Sequence, residues 1–303
     1  MQRNGDQKMS WVSFVEIERS NMKKAIEDSL NLLNYQFDKI IQRVVIKPNM
    51  CYYWDYSTGQ TTDPKFVATT IKILREKISP DVNISIVESD ASAMKCKYAF
   101  KFLGYEEIAK QYGVKLVNLS EVETEPVKVN ARDQNFNLAI PKIIKNADLR
   151  INIPKIKYLE LTKISCALKN VFGCNPYPKK FKYHVRLDET IVALNKILRF
   201  DLCIVDGIIV SGIQPYKLGL VMAGVDPVAI DTAASEIAGI NPSSVRHIML
   251  AASEGIGSPY FNPKGINLHY FKRKYPRKKM TNKLMTLGYK VIQFLGLENR
   301  LEN

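Results

Sequence analysis

Short β-branched runs alternate with amphipathic helical stretches, and that alternation constrains the fold more than any other feature of the chain. The run RVVIK (residues 43–47) stops at Pro48, which lacks the N–H needed to continue a sheet ladder. Asp63-Pro64 reads as a helix cap followed by proline at the first helical position. Val67, Ile71, Leu74 and Ile78 then mark one apolar helix face. NISIV (Asn83–Val87) is the next strand, a helical stretch runs over 98–112 to Gly113, and VKLVNL (Val114–Leu119) is a third strand. Strand, helix, strand, helix, strand is the pattern of right-handed crossovers in a parallel sheet. Residues 120–147 are less regular, with an antiparallel pair expected around Val127–Val129 and Leu138–Ile140. LRINI (Leu149–Ile153), LCIVD (Leu202–Asp206) and LGLVMAG (Leu218–Gly224) read as further strands. Helices are expected over 160–172 and 188–199, and from the cap-proline pairs Asp226-Pro227 and Asn241-Pro242. The pattern predicts an α/β fold, a mostly parallel (mixed) sheet with helices on both faces.

Charge divides the chain further. The net charge is +14, but residues 142–186 carry +9 and residues 264–303 carry +8, leaving the rest at −3. FKRKYPRKK (Phe271–Lys279) is followed by an apolar stripe at Leu284, Leu287, Val291 and Leu295, a basic amphipathic helix. We therefore expect a core domain over 1–259 and a basic helical tail over 260–303. The N-terminus has no secretory apolar segment, and Asp206, Lys217 and Asp226 interrupt the most apolar region, so no membrane span is expected. Five scattered cysteines, Cys51, Cys96, Cys166, Cys174 and Cys203, contain no CxxC pair. That fits a reduced, cytoplasmic protein, and no self-contained iron–sulfur cluster is expected.

The strand ends draw attention because ligands in open parallel sheets bind beyond the carboxyl ends of the strands. The first strand runs into Lys47 and Asn49, and the second into Glu88, Ser89 and Asp90. The 149–153 strand runs towards Lys155 and Lys157, the 202–206 strand into Asp206, and the last into Gly224 and Asp226. On the helix expected after Lys157, Thr162, Ser165 and Lys169 form a polar stripe beside Asn170, and its N-terminus would present N–H groups to an anion. Candidate catalytic groups are Lys155, Lys157, Asp206 and Asp231. Candidate ligand-binding groups are Lys47, Asn49, Ser89, Thr162, Lys169, Asn170 and His184. Asp206, Asp226 and Asp231 are a candidate carboxylate set for a divalent cation.

No GxGxxG, GxxxxGK[ST] or GxSxG sequence occurs, which argues against standard dinucleotide binding, P-loop chemistry and serine hydrolysis. Residues 177–186 interleave Tyr177, Phe181 and Tyr183 with Lys179, Lys180, Lys182 and Arg186, the mixture that single-stranded nucleic acid binding uses, or a lid over a small anion. Three functions follow. The first is an enzyme or enzyme-like binder of a small phosphate- or carboxylate-bearing ligand. The second is nucleic acid binding, and the third is docking to a membrane surface or protein partner through the C-terminal helix.

KPNM at 47–50, INIPKIKYLELTKISCALKNVFGCNP at 151–176, Asp206-Gly207 and KLGLVMAGVDPVAIDTAASEIAG at 217–239 carry a resemblance. Over about residues 40–258 the chain resembles an uncharacterised prokaryotic family, Domain of Unknown Function 362. The resemblance implies the α/β fold and an association with iron–sulfur proteins, since many relatives carry a ferredoxin module. The cysteines here lack cluster-binding spacing, and the basic tail lies outside the resemblance.

Overall fold

The computed structural model describes residues 9–18, 21–212 and 214–276. Its elements begin with β1 (Ser10–Glu16), α1 (Met22–Leu32), β2 (Arg43–Pro48), α2 (Pro64–Lys77), β3 (Asn83–Glu88), α3 (Cys96–Phe102), α4 (Tyr105–Tyr112) and β4 (Lys115–Asn118). A hairpin, β5 (Thr124–Ala131) and β6 (Gln134–Pro141), leads through α5 (Lys142–Lys145) to β7 (Leu149–Ile153), β8 (Lys155–Leu159), β9 (Lys163–Ser165) and α6 (Ala167–Asn170). The chain closes with α7 (Leu187–Ile197), β10 (Leu202–Ser211), β11 (Pro215–Gly224), α8 (Pro227–Ile237), α9 (Arg246–Ser253), β12 (Phe261–Gly265) and α10 (Leu268–Lys274).

The main sheet of the described residues has the order β12-β1-β11-β10-β7-β2-β3-β4, with β8 added beside β10 and β9 beside β8. Within the eight-strand line only β11 runs against the others. The fold is α/β, a mixed and mostly parallel sheet. Its two faces are covered by different parts of the chain. Side chains of α1 to α4 pack with Val44 and Ile46 on one face, while α5 to α10 pack with Val45 on the other.

Local chemistry accounts for most boundaries. Asp63 accepts the Lys65 N–H and caps α2, whose Phe66, Val67, Ile71 and Leu74 are buried. Gly104, at φ 77°, breaks the helix expected over 98–112 into α3 and α4. Asn241-Pro242 opens only a 3₁₀ turn, and the helix begins at Arg246. The chain runs outward from β2 to β3 and β4, then returns to place β7 on the other side of β2. The strand order therefore reverses between β2 and β7, and a crevice opens beyond their carboxyl ends.

Three expectations change. The helix expected over 160–172 is a β8–β9 hairpin, turned at Lys163 with φ 62°, followed by the short α6 and a 3₁₀ turn at Val171–Cys174. Leu161, between the two strands, is exposed. Second, β11 is antiparallel, so Gly224 pairs with Cys203 at the start of β10, and Asp226 lies at the rim opposite the crevice. Third, the expected 260–303 tail starts inside the body. β12 pairs with β1, Phe271 of α10 is buried, and the Tyr275 hydroxyl donates to the Ser211 carbonyl. The amphipathic stretch at 284–295 lies outside the described residues.

Candidate functional site

The reversal point brings five lysines to one rim, and they fall into two classes. Lys47, on β2, is buried and donates to Glu88 Oε2 of β3 at 2.6 Å and to the Pro48 carbonyl. Lys155, on β8, is equally buried and sits 3.1 Å from Asp206 Oδ2 of β10. Asp206 also accepts the Asp63 N–H that starts α2. Each pair crosses between strands and is closed off from solvent.

Above them a cleft of about 410 Å³ is walled by Asn49, Cys51, Tyr52, Glu88, Lys157, Thr162, Lys169, Asn170, Lys180 and His184, among others. Lys157, Lys169 and Lys180 make no ion pair with a carboxylate among the described residues. Lys157 Nζ donates to Asn49 Oδ1 (2.7 Å) and the Gln60 carbonyl (3.0 Å), two acceptors for three ammonium protons. Asn49 donates onward to Asn170 Oδ1, Asn170 to Asn152 Oδ1 and the Lys47 carbonyl, and Asn152 to the Ala167 carbonyl. This amide relay fixes the direction in which Asn49 holds the lysine. Lys169 lies 5.6 Å from the Phe172 ring centre, and Lys180 donates to Ser89 Oγ, which donates to the Gly173 carbonyl.

Burial lowers the pKa of all three lysines, because the protein strips water from the charged form. Lys169 is brought down to about 8, with the neighbouring Lys157 charge adding to burial. Lys180 is also brought down to about 8, although Glu88 opposes the effect. Lys157 is lowered as well, first by burial. The Thr162 hydroxyl, on the same wall, is buried without a hydrogen-bond partner among the described residues. Gly173 makes room for the arrangement: a Cβ there would stand 2.9 Å from Lys47 Cε and 3.0 Å from Glu88 Oε1.

Asn49, Lys157, Thr162, Lys169, Asn170 and His184 thus meet on one cleft, with Ser89 beneath it. Lys47 and Lys155 lie below, held by carboxylates. The three carboxylates expected to gather for a cation do not gather. Asp206 holds Lys155. Asp226 caps α8 and accepts from Ser10 and Ser258 at the opposite rim. Asp231 accepts the Ala167 N–H at 2.5 Å and the Leu168 N–H, so it occupies the helix start expected to receive an anion. Among the described residues no three His, Cys, Asp or Glu side chains converge as metal ligands. Burial pushes the Cys174 thiol up to about 12 and raises Cys96, Cys166 and Cys203.

The pattern of the sequence missed Lys180 as a site residue, since nothing distinguishes it from exposed Lys179 beside it. It also missed a buried cluster behind the cleft. His247 Nδ1 is 3.6 Å from Asp188 Oδ1, and Nε2 is 3.7 Å from Asp231 Oδ2. Burial opposes the charged imidazole, but the two carboxylates outweigh it and raise its pKa. Neither ring nitrogen is within hydrogen-bond distance of a partner among the described residues.

The chain is similar to parts of other proteins. The thylakoid-associated protein sll1697 of Synechocystis sp. is 31% identical over 159 residues, 48% of this chain and 47% of that protein, so the match spans about half of each. The lactate racemase apoprotein of Thermoanaerobacterium thermosaccharolyticum superposes with a TM-score of 0.43 at 14% identity, over 79% of this chain and 60% of that one. The family described as "Domain of unknown function (DUF362)" matches residues 44–236. That stretch runs from the second residue of β2 into α8 and takes in both ion pairs, the amide relay and every wall of the cleft. The chain that builds this lysine-lined crevice belongs to the DUF362 family.

Proposed function

We propose that the cleft binds a small anionic ligand carrying a phosphate or carboxylate, as an enzyme or enzyme-like binding protein. The observation that carries this reading is the set of three lysines, Lys157, Lys169 and Lys180, brought to one cleft with no ion pair to a carboxylate among the described residues, although Glu88, paired to Lys47, and Glu160 line the same cleft. Burying cations unpaired is costly, and an anion entering the cleft supplies the missing charge. The Thr162 hydroxyl offers an additional hydrogen bond.

A lysine with a pKa of about 8 exchanges its proton near neutral pH. Lys169 and Lys180, both on the cleft wall, are therefore the groups placed to give or take a proton from a bound ligand. Lys155 and Asp206, expected as catalytic groups, neutralise each other beneath the floor and support the site from there.

The test is calorimetric titration with inorganic phosphate, pyrophosphate and small dicarboxylates. Binding to the wild type that is lost in the Lys157→Met, Lys169→Met double variant, with folding retained, supports the reading. Unchanged binding in that variant places the anion elsewhere and refutes it.

A further inference from the structure

The cleft opens through a rim of large apolar side chains that the anion site does not use. On the loop after β2, Tyr52 lies on the cleft wall, and its ring centre is 5.5 Å from that of Trp54, which is 50% exposed. Tyr53 joins this loop to α3: its hydroxyl accepts the Lys95 N–H, and its ring meets Phe102, 63% exposed, at 5.7 Å. Leu161 forms the tip of the β8–β9 hairpin on the cleft wall and is 76% exposed. Across the mouth, Phe181 (63% exposed) and Val185 (87% exposed) flank His184 on the 3₁₀ segment that delivers Lys180 to the cleft. Ser92 and Pro178 link these two sides through a hydrogen bond of 3.4 Å. Exposed Lys97 and Lys101 lie on α3 with Phe102, and exposed Lys179, Lys182 and Arg186 on or next to the 3₁₀ segment with Phe181 and Val185.

We infer that this rim docks on an anionic lipid bilayer, with the cleft opening at headgroup level. Large aromatic rings mixed with lysines match the chemistry of a membrane interface, where rings sit among headgroups and cations meet anionic lipid. The core of a protein interface is instead depleted of lysine. Single-stranded nucleic acid needs free ring faces. Here Tyr98 already stacks on Phe102 at 6.0 Å, and Lys182 lies over the rings of Tyr177 and Tyr183 at 4.5 and 4.8 Å. Leu161 and Val185 have no ring face, but they can enter hydrocarbon. This surface is distinct from the 284–295 stretch and does not depend on which anion the cleft holds.

The two tryptophans, Trp11 and Trp54, provide the test. Trp11 lies on β1 next to Ser10, which bonds Asp226 at the opposite rim. Full-length Trp11→Phe protein is mixed with phosphatidylcholine vesicles with and without phosphatidylserine. We expect Trp54 emission to shift to the blue and to be quenched by brominated lipid, only with the anionic vesicles. In flotation, Phe181→Ser with Leu161→Ser should weaken partitioning by about tenfold or more, and Lys97→Ala with Lys101→Ala by about fivefold per charge. The proposal is overturned if the wild type does not float. It is equally overturned if it floats with Trp54 emission unchanged or with rim variants unaffected, or if the rim variants lose only oligonucleotide binding. The Lys157→Met, Lys169→Met variant should float normally, which separates failure of docking from failure of the anion site.

Discussion

The floor and the walls of the crevice use the same residue type in opposite ways. Lys47 and Lys155 on the floor are each neutralised by one carboxylate from the adjacent strand. Lys157 follows Lys155 by two residues on the same strand, yet it meets only amide and carbonyl oxygens. Burial alone therefore does not separate a structural lysine from a ligand-binding one. The presence or absence of a carboxylate does. A paired lysine is fixed to the fold, while an unpaired one retains charge for a ligand.

The sharpest way to break this comparison is to remove one member of each class. Lys47→Ala leaves Glu88 buried and unpaired, so unfolding stability should fall by about 3–5 kcal/mol in denaturant titration. Lys47→Met with Glu88→Leu should recover most of that loss. Lys157→Met should cost little stability or add some, because it removes an unpaired buried charge, while anion affinity falls. Equal losses from Lys47→Ala and Lys157→Met would dissolve the distinction between floor and wall.

Gly173→Ala attacks the contact between the classes. Its Cβ would press on both Lys47 and Glu88, and the Gly173 carbonyl accepts from Ser89 beneath Lys180. Overpacking of this kind costs about 1–3 kcal/mol, and here it should also weaken anion binding through Lys180. A variant that is destabilised but binds anions normally would show that the floor does not position the walls.

pH sharpens the comparison without mutation. Lys169 and Lys180, with pKa values of about 8, lose their charge as pH rises through that value. Affinity for inorganic phosphate should therefore fall above about pH 8, by up to about tenfold per unit for each lysine that must be charged. Stability moves the other way. Between pH 8 and about 10.4, the ordinary value for lysine, the unfolded chain holds more protons than the folded one, so stability of the ligand-free protein should rise with pH. Affinity that stays flat to pH 10 would show that these lysines do not bind the anion.

Most of the sheet was legible in the sequence because β-branched runs and cap-proline pairs encode their structure locally. The crevice lysines at 47, 155 and 157 were legible as charges placed directly after apolar strands. Pairing was not, because Lys47 meets Glu88 and Lys155 meets Asp206 only once distant strands become neighbours. The 160–172 segment misled for a related reason. Ile164 and Leu168 repeat at a helical interval, but Asp231 on α8 binds the N–H groups of Ala167 and Leu168, and the helix starts only there. The direction of β11 was equally hidden, since a buried apolar run looks the same in either orientation. That single reversal takes Asp226 away from the crevice.

The smallest expected effect tests whether the walls are built for a ligand at all. Thr162 keeps a buried hydroxyl without a partner among the described residues, and an unsatisfied buried polar group costs about 1 kcal/mol or more. Thr162→Val has nearly the same shape and removes that cost, so thermal unfolding should move upward in the ligand-free protein. If the hydroxyl is kept for an anion, the same substitution should weaken phosphate binding. Opposite signs in the two measurements identify a group held ready for ligand at the expense of stability. A fall in stability would instead assign the hydroxyl to the fold, as with the floor lysines.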